Sequence, residues 1–175
     1  MKRFVLGMIV GVLLLCGGVF VYFATGMAPV ATSAPAMPFE KRMAKMALDA
    51  RLHKEMPKNV PVPANEVTYM AGAMVYNDNC AVCHGMPGQK DLPPFAKGMF
   101  PKPPQLFKGT GVTDDPAGET YWKVANGIRL TGMPAFKGTL SDTEMWQVAV
   151  LLANADKASD AAKAMITGPV KPAAH

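Results

Sequence analysis

The sequence predicts an all-α fold, and three observations carry that prediction. An uncharged apolar run extends from Phe4 to Ala24 behind Lys2 and Arg3. Helix-start signals recur at Asn65, at Asp114-Asp115-Pro116 and at Ser141-x-x-Glu144, each ahead of apolar residues at helical spacing. Between the first two of these signals lies Cys80-Ala81-Val82-Cys83-His84, two cysteines and a histidine brought together by a single helical turn.

The run from Phe4 to Ala24 would be about 31 Å long as a helix at 1.5 Å per residue, enough to cross the hydrocarbon core of a bilayer. The apolar core of a cleavable signal peptide is usually only about 7–15 residues. The expectation over residues 1–25 is therefore a retained transmembrane anchor, with a signal cleaved in the small-residue stretch Thr25 to Ala28 as the alternative. Lys2 and Arg3 stay on the cytoplasmic side, which sends the rest of the chain outside. Cys16 follows Leu13-Leu14-Leu15, where a lipid-attachment site wants a small residue before the cysteine, and reads as a passenger thiol.

Residues 26–63 read as a linker. Its first part is rich in Pro, Ala, Ser and Thr. Phe39, Met43, Met46, Ala47, Ala50 and Met56 then follow helical spacing with charges between them, an amphipathic helix over 39–56. Such a basic helix could lie on lipid headgroups or dock a partner; it could equally pack on the following domain or merely space it. Pro57, Pro61 and Pro63 end it and make an extended connector. His53 reads as incidental.

A domain is expected over residues 64–153. Asn65 caps a helix from Glu66 to about Asn79, with Val67, Met70, Ala71, Met74 and Val75 as its apolar face. Gly72 lowers the stability of that helix by about 1 kcal/mol against Ala, a cost that a close helix crossing would explain. Residues 86–113, rich in Pro, Gly and Lys, make a loop long enough to wrap something. The next helix opens at Asp114-Asp115-Pro116 and stops near Asn126-Gly127; Tyr121 and Trp122 lie on it as pocket-lining or plain core residues. Gly132-Met133-Pro134 cannot be helix interior, because proline biases the residue before it to an extended shape, so Met133 is presented from a loop. A capping box at Ser141 and Glu144 starts a last helix that runs to about Ala153. Residues 154–175 read as a flexible tail, and His175 as no ligand.

Cys-x-x-Cys-His is the attachment pattern of covalent c-type haem. Two thiols must reach the two vinyl groups of one porphyrin, and the adjoining histidine then lies under the ring with Nε2 toward the iron. Cys-x-x-Cys alone could be half a zinc site, but the one further cysteine is Cys16 in the apolar run. A thioredoxin-like pair should follow a strand, and none precedes Cys80. A disulfide leaves His84 unexplained. One such motif and no internal repeat imply one haem.

The formal charge of +5 is uneven. Residues 39–63 hold six basic side chains against three acidic, whereas 64–153 hold seven against eight. A nucleic-acid-binding domain would be basic, so that function class is excluded.

The segment from Gly72 to Gly85, with its Cys80-Ala81-Val82-Cys83-His84, resembles the first helix and haem loop of class I c-type cytochromes. Gly127 to Phe136 resembles their sixth-ligand loop and Leu140 to Leu152 their last helix. The resemblance covers about residues 64–153 and implies a cytochrome c fold: three to five helices around one covalent haem c, here behind a transmembrane helix and a linker helix. It implies Cys80 and Cys83 as attachment points, and His84 and Met133 as the iron ligands. A thioether paired with histidine raises the reduction potential. Met86 and Met99 compete with Met133; Met86 is close to His84 for reaching the opposite face. Pro104-Gln105-Leu106 resembles the family's Pro-x-Leu turn, whose proline carbonyl holds the proximal histidine, although Pro93, Pro94, Pro101 and Pro103 compete for that role. The family often carries an aromatic where this chain has Leu151.

The resemblance further implies electron transfer rather than enzymatic catalysis, on the periplasmic face of the bacterial inner membrane. The partners implied are redox proteins, a dehydrogenase as donor and an oxidase or another cytochrome as acceptor, with no small-molecule substrate. Two alternatives stand beside it. One is a haem-bearing subunit of a dehydrogenase or oxidase complex. The other is a haem enzyme or gas sensor with a displaceable methionine.

Overall fold

A computed structural model describes the chain over residues 1–167. Eight helices account for its regular structure among those residues: α1 (Lys2–Ala24), α2 (Glu40–Glu55), α3 (Glu66–Asn79), α4 (Ala81–His84), α5 (Pro94–Lys97), α6 (Ala117–Asn126), α7 (Asp142–Ala153) and α8 (Asp160–Ala164). Beyond them there is an isolated bridge between Lys137 and Leu140. The fold is all-α, as the sequence predicts. The chain divides into two compact units, Met1–Ala44 and residues 45 onward, so the boundary falls inside α2.

In the first unit, α1 is 23 residues of mean hydropathy 2.7 with no part of its apolar window buried. Leu14 and Leu15 keep about 70% of their surface exposed. A helix of this length and composition fits a single-pass membrane anchor. Before α2, the backbone N–H of Met37 donates to Glu40 Oε2 at 2.8 Å, which fixes the entry of the chain into that helix.

The second unit is built on two crossings of α7, with α3 and with α6. Asn65 Oδ1 accepts from Thr68 N at 3.0 Å and starts α3, while Ser141 and Glu144 make a reciprocal capping box at the start of α7. The crossing of α3 on α7 is set by Gly72. A Cβ at that position would lie 2.4 Å from the Gln147 carbonyl oxygen and 3.0 Å from Leu151 Cβ. Leu151, fully buried, thus lets the helices meet closely without the family's aromatic.

This crossing corrects the face expected for α3 in part: Val75 is buried as expected, at 8% exposure. The helix turns Tyr69, Gly72, Ala73 and Tyr76 inward, while Val67, Met70 and Met74 stay 78%, 40% and 53% exposed. The reason is steric: a glycine permits the closest backbone approach, and the side chains that share its face follow it into the core. The face of α2 is corrected in the same way. Phe39, Met43 and Met46 are each more than 60% exposed, whereas Leu52 is 4% exposed. The stripe that reads as amphipathic in sequence is the solvent face, and Leu48 and Leu52 turn toward the second unit's interior.

The flexible tail expected over 154–175 is corrected for residues 154–167. Ser159 caps α8, accepting from Ala162 N at 3.0 Å, and its hydroxyl donates to Glu66. Ala158, Ala162 and Ile166 join the core, and Thr167 N donates to Asn77 Oδ1 at 3.0 Å. Small alanines let this short helix lie flat against α3, so a composition that looks tail-like is packed. Residues 168–175, including His175, lie outside the described residues.

Candidate haem site

The Cys-x-x-Cys-His segment begins where α3 ends. Cys80 N still donates to Tyr76 O at 2.8 Å, and the chain then bends into the single turn of α4. Gly85 closes that turn at φ +76, a left-handed conformation that favours glycine. Buried Tyr76 braces the bend: its hydroxyl donates to Gly85 O at 2.8 Å and its ring meets Phe107 edge-on at 5.0 Å. With that hydroxyl buried, the Tyr76 pKa rises.

His84 is half-buried, and its Nδ1 lies 2.7 Å from the carbonyl oxygen of Pro104. A carbonyl can only accept, so Nδ1 carries the proton and Nε2 keeps its lone pair free for a metal. Burial holds the imidazole below its ordinary pKa; the bond to Pro104 opposes that shift. Of the five prolines that compete in sequence, Pro104 is the one bonded to this ring.

Met133 arrives from the loop after α6. Gly127 ends that helix at φ +66, and a Cβ there would meet Ala135 N at 2.7 Å and Met133 O at 2.9 Å. The loop therefore folds directly over the glycine. Ile128 N donates to Met133 O at 3.2 Å and Met133 N to Thr131 Oγ1 at 3.1 Å. Phe136 N and Lys137 N donate back to Val124 O and Ala125 O, which pins the loop to the last turn of α6.

Cys80, Cys83, His84 and Met133 open onto one apolar cavity of about 250 Å³. Leu106, Val124, Phe136 and Leu152 supply much of its apolar wall. Met99 lines the cavity too, with its methyl pressed on Gly132, where a Cβ would overlap it. Met86 packs instead against the hydrophobic core. Trp122 lies outside the lining and bonds Glu55, and Tyr121 stacks on Trp146 at 4.2 Å, so neither is a pocket residue.

The chemistry of these donors fits a covalently attached haem. Burial, followed by the neighbouring Cys83, pushes the Cys80 thiol up to about 12, and burial raises Cys83 as well. Both shifts run opposite to the lowered thiol pKa that marks a redox-active cysteine. No group of three His, Cys, Asp or Glu side chains suited to a metal ion occurs among the described residues. An apolar cavity lined by two thiols, an imidazole whose Nδ1 is engaged by Pro104 and a thioether suits a porphyrin held through its vinyl groups and its iron.

The sequence reading missed Leu48 of α2, which lines the same cavity. Its signal was the pair Leu48 and Leu52, four residues apart and therefore on one helix face, opposite the methionine stripe.

Residues 67–152 match the family model described as cytochrome C oxidase, cbb3-type, subunit III. No curated protein and no solved structure matches the chain.

Proposed function

Because residues 67–152 form a c-type cytochrome domain, a carrier of electrons on covalently bound haem, we propose that this chain is a membrane-anchored electron carrier. It would hold one haem through Cys80 and Cys83, with His84 and Met133 as the residues that bind the iron. The observation that carries the reading is the single cavity shared by the two sulfurs, the imidazole and the thioether. When bound, the haem supplies a one-electron ferric/ferrous couple.

The protein's own residues do the rest. The Pro104 carbonyl holds His84 in the Nδ1–H tautomer, with Nε2 toward the metal. The loop pinned over Gly127 presents Met133. With His84 and Met133 both binding the iron, a bound haem would offer no open site to a substrate, as a carrier requires and an enzyme or gas sensor does not. Apolar walls exclude water and favour the less charged, reduced state. The helix α1 is read as a retained anchor in the bacterial inner membrane, with the haem domain on the periplasmic side. Anchoring raises the effective concentration of the carrier beside membrane-bound donors and acceptors. Small, transient contacts with those proteins then suffice.

The test is spectroscopic. Protein matured in a host that attaches c-type haem should show one haem per chain by pyridine haemochrome. Its oxidised form should show the far-red charge-transfer band of a thioether–iron bond. Fast binding of CO to the reduced wild type, with no such band, sinks the His84/Met133 assignment.

The family match favours a second reading, in which the chain works as a haem-bearing subunit of a terminal oxidase complex. Extraction in mild detergent separates the two. A fixed subunit co-purifies with membrane haem–copper subunits at constant stoichiometry, and a free shuttle does not.

A further inference from the structure

We propose that the second half of α2 is a built-in wall of the haem cavity, with Leu48 closing it to water, and that this docking helps set the reduction potential. The inference rests on the reading that a haem fills this cavity. Four observations converge on it. Leu48 lines the cavity together with Cys80, Cys83, His84 and Met133. Leu52, one turn further on the same face, is 4% exposed. Glu55, at the end of that face, accepts a hydrogen bond from Trp122 Nε1 of α6 at 3.3 Å and pairs with Arg51 at 2.9 Å. Just beyond the helix, the Pro57 carbonyl oxygen presses on Gly118, where a Cβ would lie 2.0 Å away.

Each contact alone is ordinary. Together they hold the C-terminal end of the helix against α6, through Trp122 and through Gly118, and Leu48, two turns earlier on the same face, lines the cavity. The glycine is informative because any larger residue there would collide with the Pro57 backbone, which cannot swing aside. Leu48, Leu52 and Glu55 follow the spacing of a single face, and the solvent face carries Met46 and Ala50. The hydrophobic shell around a redox centre controls solvent access and local dielectric, and through them the potential. Leu48 is thus a positioning and shielding residue supplied from outside the domain that the family match covers.

The experiment uses the full chain, matured with haem and held in detergent, and reads the midpoint potential. Leu48→Ala should shift the potential downward, with covalent haem content unchanged, and Leu48→Met should restore it. Gly118→Ala should produce a downward shift in the same direction, because the added methyl pushes the Pro57 segment off α6. Met46→Ala, on the solvent face, should match the wild type. If Leu48→Ala and Gly118→Ala both keep the wild-type potential, the wall does not exist and the inference falls while the haem site stands. If the wild type itself matures without covalent haem, the site reading fails, and the inference with it.

Discussion

His84 donates its Nδ1 proton to the carbonyl oxygen of Pro104 across 2.7 Å, joining residues 20 positions apart. The contact ties the long segment over residues 86–113 to the Cys-x-x-Cys-His turn and decides which imidazole nitrogen is free. Because the acceptor is backbone, its effect depends on where the loop lies rather than on the Pro104 side chain.

The two methionines of the cavity can be told apart. Met133→Ala should remove the far-red band, lower the potential and open the reduced iron to CO. Met99→Ala should keep the band, since the role read for Met99 is packing on Gly132. Visible spectra of both oxidised variants decide it, and the opposite pattern makes Met99 the ligand.

Gly127→Ala should act like a weakened Met133. Its φ of +66 disfavours any Cβ, and the new methyl would collide with the backbone at Ala135 and Met133. Covalent attachment through Cys80 and Cys83 should persist while the thioether bond is lost. Haem stain on a denaturing gel, beside the far-red band, separates these effects. In contrast, Cys83→Ala should cripple attachment.

At the helix crossing, Gly72→Ala should destabilise the protein by about 1–3 kcal/mol, the usual range for forced overpacking. The obstacle is the Gln147 carbonyl, which is backbone and cannot swing aside. A chemical denaturation midpoint that rises instead would mean that helix propensity outweighs the crossing.

Tyr121 predicts a loss of stability in alkali. Its hydroxyl donates to Asp142, and that bond, with burial second, pushes its pKa up to about 12 from 10.0. A folded pKa above the unfolded one gives stability that is complete below about pH 10 and lost as pH rises through 12. Urea midpoints across that window should fall in the wild type and fall less in Tyr121→Phe.

The start of α7 predicts the opposite dependence in acid. Bonds from Ser141 hold the Glu144 carboxylate below its ordinary pKa, so their contribution is present above that value and lost as pH falls through the folded pKa. Ser141→Ala should cost about 1 kcal/mol at neutral pH, a typical loss for a helix cap, and less in acid. Thermal melts at the two pH values test this.

Much of the candidate site was legible because its residues lie close together in the chain. Cys80, Cys83 and His84 lie within five residues, and covalent attachment to one porphyrin demands that spacing. Gly132-Met133-Pro134 announces a loop through proline sterics alone. The capping signals at Asn65 and Ser141 needed only neighbours three residues away. Ser159 ahead of Asp160 is a signal of the same kind, and it would have revealed α8 had composition not suggested a tail.

What the sequence by itself determined is therefore the set of parts: an apolar span, a Cys-x-x-Cys-His turn, a loop methionine and capped helices, each written in residues a few positions apart. Which face each helix buries was decided only in three dimensions. The α3 face follows Gly72 into the α7 crossing rather than following hydrophobicity, and α2 buries Leu52 and turns Leu48 to the cavity while leaving its methionines in solvent. Several helix faces can satisfy a hydrophobic pattern equally well. Backbone closest approach chooses between them, and that depends on a partner distant in sequence.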